Sequence, residues 1–508
     1  MSDVATEAAR ESQVERPGEV WVAKTELRAG SLGLAGAVMQ NITHIAPAIA
    51  GFFFTAFIVS LAGITSPLAY FIGFLIVLML GSTLAQLAKE MPSAGGYYTY
   101  VSRGLHPRAG FLTSWMYILY SPLVGGPLAG FFGFIVAGEL SENWGIEVPW
   151  LWWVSVLVFS FLTAFLQWEG IKPSTRFVVI TGGLEMIIVM GLAIFGFLVP
   201  PPGSSGITLD VFNPAMIPAT GGFLLAVVLT VQGLTGWEAS APLAEETKDP
   251  KRNVPLSVML SIVIIGSFLV IVFWGVITGF GNDADAVVNS PVLPALGLAH
   301  RVWGDLWFII LLAFLNSVAA VCVACANVGT RMWYSMARSG SFPKALAKLH
   351  PEHKTPTNAI LVQLGLNIVA GLFVGAVWGS ETGFFFATGI VLVLAVTVVY
   401  ILANAAVFRF YWRERRPQFN WILHFVFPIV SSIILLYACY RGFFDPFPAD
   451  PFNLGPLVVG GWFILGVIVL LVLRSRGDEE WMIKAGQALG DELPAPAFDT
   501  VASPGTGG

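Results

Sequence analysis

Two apolar runs in this chain are interrupted where a membrane-crossing helix would have to be continuous, and those interruptions constrain the fold more than any other feature. In the first run, Met39-Gln-Asn-Ile-Thr-His-Ile-Ala-Pro-Ala48, Pro47 has no N–H to give and its ring clashes with the preceding turn. The helix is therefore expected to open over Thr43 to Ala46 and to restart with Pro47 near its first position. In the sixth run, Gln232-Gly-Leu-Thr-Gly-Trp-Glu238, the opening is expected between Gly233 and Gly236. Glycines also serve as packing residues in membrane helices, but two of them flanking Thr235 and leading into Trp237-Glu238 fit a broken helix better. Lipid offers no partner to freed N–H and C=O groups, so such backbone survives at membrane depth only when buried in protein or lining a cavity.

Composition agrees with a membrane protein. Hydrophobic residues make up 56% of the 508 and charged residues 11%, with a mean hydropathy of +0.77, more than a water-soluble core of this length needs. Runs of about 20 apolar residues can cross the hydrocarbon as helices. Twelve occur, at roughly 31–60, 67–88, 111–138, 149–168, 176–199, 219–245, 256–280, 303–334, 357–378, 384–408, 421–440 and 456–473. With the N-terminus inside, every Lys and Arg except Arg301 and Arg441 falls on the cytoplasmic side, as the positive-inside rule requires. Those two lie near helix ends, where a long side chain can snorkel. One missed or invented span would scramble that alternation. The expected fold is an all-α polytopic protein of the cytoplasmic membrane, with 12 transmembrane helices and both termini cytoplasmic. Residues 1–29 and 475–508 are expected to be polar tails, the second disordered from about Asp491.

The breaks lie five helices apart, in corresponding positions. That order is the trace of two inverted five-helix repeats, 30–200 and 218–409, with a site at their interface and the two helices of 419–474 outside the core. Helix order alone carries this reading, since the halves share no evident residue-level identity. Cys322, Cys325 and Cys439 all lie in apolar runs, and with no strand pattern ahead of it Cys322-Val-Ala-Cys325 reads as small helix-packing residues rather than a redox pair.

Three blocks resemble a known family. Pro92-Ser-Ala-Gly-Gly-Tyr-Tyr-Thr-Tyr100 with Gly110-Phe-Leu-Thr-Ser-Trp115, then Gly236-Trp-Glu-Ala-Ser-Ala-Pro-Leu-Ala-Glu-Glu-Thr-Lys-Asp-Pro-Lys-Arg-Asn-Val-Pro255, then Arg331-Met-Trp-Tyr-Ser-Met-Ala-Arg-Ser-Gly-Ser-Phe-Pro343 with Lys354-Thr-Pro356 are similar, in order, to the conserved loops of the amino acid/polyamine/organocation (APC) superfamily. Pro47 and Val407-Phe-Arg-Phe-Tyr-Trp-Arg413 look more like the branch that includes putrescine importers. One departure matters. Many amino acid permeases of the superfamily have a glycine-rich first break whose bare N–H groups receive the substrate carboxylate, whereas here Ile45 and Ala46 crowd that backbone.

The breaks supply most of the candidate binding groups, because a helix C-terminus exposes carbonyls with partial negative charge and an N-terminus exposes amides with partial positive charge. An ammonium is expected at the carbonyls around Asn41 to Thr43 and Gln232 to Leu234, and a carboxylate at the amides after Pro47 or Gly236. The candidate solute-binding residues are Asn41, Thr43, His44, Ile45, Ala46, Gln232, Gly233, Thr235, Gly236 and Trp237, with Tyr117 added because the resemblance implies that its helix lies beside the site. The resemblance adds Tyr120, Asn316, Ser317 and Asn327 as residues on helices that the family places beside the site. His44 could sense protons or bond the solute, or bond a neighbouring helix. Trp237 could close over the solute or stack on a cation.

Two carboxyl groups are candidates for proton coupling. Glu238 is expected in the first turn of a second half-helix; that position also suits a plain cap, and the resemblance implies a role in gating and proton coupling. Glu185 lies in Gly182-Gly-Leu-Glu-Met-Ile-Ile188, about 15 Å from either end of its span. An ionised carboxylate at the bilayer centre costs about 2.5 kcal/mol or more, so Glu185 is expected to be paired or protonated part of the time, and either state suits a coupling group. A neutral Glu bonded to a neighbouring helix is the alternative.

No P-loop, His-Glu-x-x-His or other metal spacing occurs, so no enzyme activity, cofactor or metal is expected. The basic run Arg409 to Arg416 follows from topology rather than from nucleic acid. The expected function is a secondary active permease that moves an amino acid across the cytoplasmic membrane by alternating access, with a proton as its partner ion and lipid as its surroundings. The alternatives are a carrier of a polyamine or other organic amine, and, from another class, a membrane sensor or channel on a transporter fold.

Overall fold

The computed structural model describes residues 27–52, 54–290, 293–378, 383–384, 386–444, 453–475, 480–489 and 491. Most of tail 1–29 and of tail 475–508, including the stretch expected to be disordered after Asp491, lies outside the described residues. Among those described no strand forms, and the only β-type pairings are isolated bridges, Leu32 with Thr247 and Leu349 with Pro356.

Among the described residues, ten helices are long and apolar enough to cross a membrane. They correspond to expected spans 2 to 5 and 7 to 12. The first and the sixth spans, the ones expected to be broken, supply none of the ten by themselves; the last piece of the first, Thr55–Ala62, runs on into the helix of the second. Span 1 consists of Leu34–Ile45, Pro47–Phe52 and Thr55–Ala62, and span 6 of the 14-residue helix Thr220–Gly233. The chain is an all-α polytopic membrane protein.

Each break differs from its expected form. In span 1 the helix does not open at Thr43; it runs on to Ile45, and Ala46 alone turns left-handed, with φ 60 and ψ 79. The residue before a proline is pushed out of the right-handed helical region, so the whole reversal is concentrated there. Pro47 then starts the next helix, as expected. In span 6 no second α-helix follows. Residues 234–240 form turns, and Ala241–Glu246 is a 3₁₀ helix. Glu238 therefore sits in the turn itself, and the expected first-turn position is corrected.

A third interruption was not expected. Span 3 is split into Pro107–Tyr120 and Gly125–Trp144. Pro122 cannot donate to the carbonyl four residues back, and Leu123 N–H bonds Ile118 O instead. The carbonyl of Pro122 accepts from Gln363 Nε2 at 2.7 Å. Gly126 lets span 9 approach this point, because a Cβ there would stand 1.8 Å from Asn367 O.

Spans 2 and 7 pack side by side, as do spans 5 and 8, and span 1 lies against spans 5, 7 and 8. Apolar side chains such as Ile187, Leu198, Phe165 and Leu457 face outward, as a lipid-facing surface requires. At the end carrying the basic loops, the short helix Glu480–Ala485 returns to the bundle. Trp481 is 4% exposed and packs on Phe111 with ring centroids 6.0 Å apart.

Candidate functional site

A cavity opens where the breaks meet. It holds about 590 Å³ of empty space, counting the part open to solvent. His44, Ile45, Ala46, Ile49, Ala50 and Phe54 line it from span 1, and Gln232, Gly233 and Thr235 from span 6. Tyr120, Val124 and Leu128 come from either side of the span 3 interruption, Val321 and Cys325 from span 8 and Leu392 from span 10. No Lys, Arg, Asp or Glu is among them.

The breaks touch directly. Gly236 has φ +125, and a Cβ on it would stand 2.8 Å from both the carbonyl carbon of His44 and the nitrogen of Ile45. Only glycine permits that contact in that conformation.

Six of the eleven candidate solute-binding residues line the cavity: His44, Ile45, Ala46, Gln232, Gly233 and Thr235. The other five stand behind it. Asn41 is a clip, its Nδ2 donating to Ser261 Oγ at 3.1 Å and its Oδ1 accepting from Ser240 N–H at 2.7 Å. Thr43 bonds the carbonyl of Met39 in its own helix. Gly236 is spent on the contact with His44, Trp237 is buried against Tyr400 with centroids 5.3 Å apart, and Tyr117 points its hydroxyl at Glu238 Oε1, 3.4 Å away. Each of these five makes the protein contacts just named and stands outside the lining of the cavity.

Polar groups in the wall are held in fixed orientations. Gln232 Nε2 donates to Gly389 O at 2.8 Å, a carbonyl in the π-helical segment Phe386–Val391 that opens span 10. Its Oε1 has no hydrogen-bond partner. His44 stacks on Tyr120 with an interplanar angle of 9°, and its Nε2 lies 3.1 Å from Cys325 Sγ and 3.5 Å from Ser121 Oγ. Its Nδ1 is also without a partner.

Both carboxyl groups are buried beside the cavity rather than in its wall. Glu185 is 1% exposed. Its Oε1 accepts from Ala48 N–H at 2.8 Å and Ser317 Oγ at 2.6 Å, and its Oε2 accepts from Asn316 Nδ2 at 2.7 Å. One side chain thus ties the restart of span 1 to spans 5 and 8. Glu238 Oε2 accepts from Gly236 N–H at 3.2 Å and from Tyr400 at 3.3 Å. Tyr97, Tyr117, Tyr400 and Trp237 surround it, all buried.

Beyond this aromatic cluster, two ion pairs close the end with the basic loops. Arg331 Nε lies 2.8 Å from Glu246 Oε2, with both side chains almost fully buried. Arg338 Nη2 pairs with Glu245 Oε1 at 2.5 Å, and Glu245 Oε1 also accepts from Ala94 N–H. These residues come from the three sequence blocks quoted above, so the blocks meet in space as one seal.

Asn316 and Ser317 hold Glu185, and Asn327 faces Gln40 and Ser174 at 3.4 Å each instead of the cavity. Cys325, a packing residue by its sequence context, is a wall residue in contact with His44. Its partner in spacing, Cys322, bonds Gly125 O, and both are free thiols.

The amino acid permease family model matches residues 36–479. The chain belongs to the amino acid permease family. As a member it is a transporter and not an enzyme. The permease is 28% identical over 362 residues to a low-affinity putrescine importer of Escherichia coli (strain K12), covering 67% of this chain and 74% of that protein. It is 26% identical over 312 residues to a branched-chain amino acid permease of Bacillus subtilis (strain 168), covering 58% of this chain and 64% of that protein. With an amino-acid permease of the same organism it shares 26% over 334 residues, 62% of this chain and 68% of that protein.

Proposed function

We propose that this permease is a secondary active carrier that moves a small amine-bearing solute, an amino acid or an organic amine, across the cytoplasmic membrane by alternating access, coupled to a proton. The observation that carries the reading is the cavity enclosed by the breaks of spans 1 and 6, since irregular backbone at membrane depth is how a carrier presents ligands to a polar solute. Relatives named as amino acid permeases and as a putrescine importer support both solute classes. In this reading the two five-helix repeats, 30–200 and 218–409, rock about the site, with both termini on the cytoplasmic side.

Glu185 is the proposed coupling group. Its hydrogen-bond partners Ala48, Asn316 and Ser317 are all neutral donors, so no fixed positive charge pins its ionisation. A change of protonation there weakens or strengthens the tie between span 1 and span 8, and that joint must move when the cavity changes sides. Glu238, inside the aromatic cluster, is proposed to work the seal.

The test is uptake into proteoliposomes by a panel of amino acids and amines, with and without an inward pH gradient. A carrier shows saturable uptake, counterflow and gradient-driven accumulation. Fast flux without counterflow would instead mark a channel.

A further inference from the structure

The cavity is built to receive a cation and to refuse a carboxylate. At each break, one backbone N–H that a solute carboxylate could seek is already taken by a carboxyl group of the protein itself. Ala48 N–H, at the restart of span 1, donates to Glu185 Oε1 at 2.8 Å. Gly236 N–H, in the span 6 turn, donates to Glu238 Oε2 at 3.2 Å. No Lys or Arg lines the cavity to replace those amides.

What remains without a partner has the opposite polarity. The helices Leu34–Ile45 and Thr220–Gly233 both end at the cavity, and a helix C-terminus carries partial negative charge, although Ile42 O, Thr230 O, Val231 O and Gln232 O already accept from the N–H groups of Ala46, Leu234 and Thr235. No α-helix restarts in span 6 to offset this with a positive end. Gln232 adds an acceptor, Oε1, that has no partner in the protein, its amide orientation set by the bond from Nε2 to Gly389 O. His44 adds a second acceptor in the tautomer whose proton lies on Nε2, toward Cys325. The rest of the wall is hydrocarbon: Ile45, Ile49, Val124, Leu128, Val321 and Leu392.

We infer that the solute is a primary amine with one ammonium group, a compact hydrocarbon body and no carboxylate, its ammonium held by Gln232 Oε1, His44 and the carbonyls ending the two helices. Glu185 and Glu238 stand where the carboxylate of an amino acid would stand. The inference rests on the carrier reading above and narrows it. A second ammonium, as in a diamine, would lie against the hydrocarbon wall with no counter-charge, which is unfavourable.

The test compares matched pairs on the purified full chain: isoamylamine with leucine, phenethylamine with phenylalanine, putrescine with ornithine. Binding is read by ligand-induced thermal shift in detergent, and transport by counterflow in proteoliposomes. The expected result is that the monoamines bind and exchange at least tenfold more tightly than their carboxylated partners and than putrescine. Gln232→Leu, purified as a monodisperse protein, should weaken monoamine binding about tenfold, the loss expected for a hydrogen bond to a charged group. Exchange that favours leucine, phenylalanine or ornithine would overturn the inference and leave the carrier reading standing. Preference for putrescine would overturn the single-ammonium assignment. If no compound on a broad amine and amino acid panel shows counterflow, the carrier reading itself falls and this inference with it.

Discussion

Gly236 lies so close to His44 that a single added carbon would stand 2.8 Å from the carbonyl carbon of that residue. The sixth span is thereby fitted against the first at the point where each stops being helical. Gly236→Ala would add that carbon at φ +125, where an L side chain is strained by about 1–3 kcal/mol before any contact is counted. We expect the variant to reach the membrane and to lose transport on the order of tenfold or more, measured as initial uptake per folded protein. Uptake equal to the parent would show that the contact between the breaks does not matter.

Glu185→Gln keeps an oxygen for Ala48 and Ser317 but can no longer exchange a proton. Accumulation against a gradient, driven by acid outside, should disappear, while counterflow at equal pH continues at a comparable rate. Proteoliposomes with imposed pH gradients measure both. Unaltered dependence on the gradient would remove Glu185 from coupling.

The Arg331–Glu246 pair is buried on both sides. Removing one partner leaves the other charge uncompensated, at a cost of about 3–5 kcal/mol, whereas replacing both with apolar residues of similar volume is often neutral. Arg331→Met and Glu246→Leu should therefore each lower the melting temperature more than the double variant does. Additive losses would mean that the two residues act independently.

At the end of the described chain, Leu489 N–H bonds Pro92 O, Asp491 pairs with Arg103 at 3.1 Å and Trp481 fills a slot beside Phe111. Trp481→Ala should free this segment, read as faster proteolysis after Ser475 with the membrane domain intact. An unchanged cleavage rate would show that Trp481 does not hold it.

Features set by local backbone chemistry were legible in the sequence. Pro47 lacks a donor and Gly236 tolerates positive φ whatever surrounds them, so both breaks could be placed within a few residues, and the span order followed from where Lys and Arg fall. Their extent was not legible. Ala46 takes the entire reversal because Pro47 excludes it from the helical region, while Thr43 to Ile45 stay helical within the packed bundle. Pro122 carried the same local signal as Pro47, and the interruption of span 3 could have been read from it. Partnerships across the bundle left no local trace. Nothing near Glu185 in sequence announces Ala48, Asn316 or Ser317, and Cys325 meets His44 only because span 8 packs on span 1.

Cys325 gives the most direct test of the account, because it lies in the cavity wall, against His44. In a chain with Cys322 and Cys439 replaced by alanine, Cys325 should react with a small membrane-impermeant thiol reagent from outside in right-side-out vesicles and from inside in inverted ones, and a transported solute should slow both reactions. Reaction from one side only, or at a rate that no transported solute alters, would contradict a solute site reached alternately from each face between the broken spans.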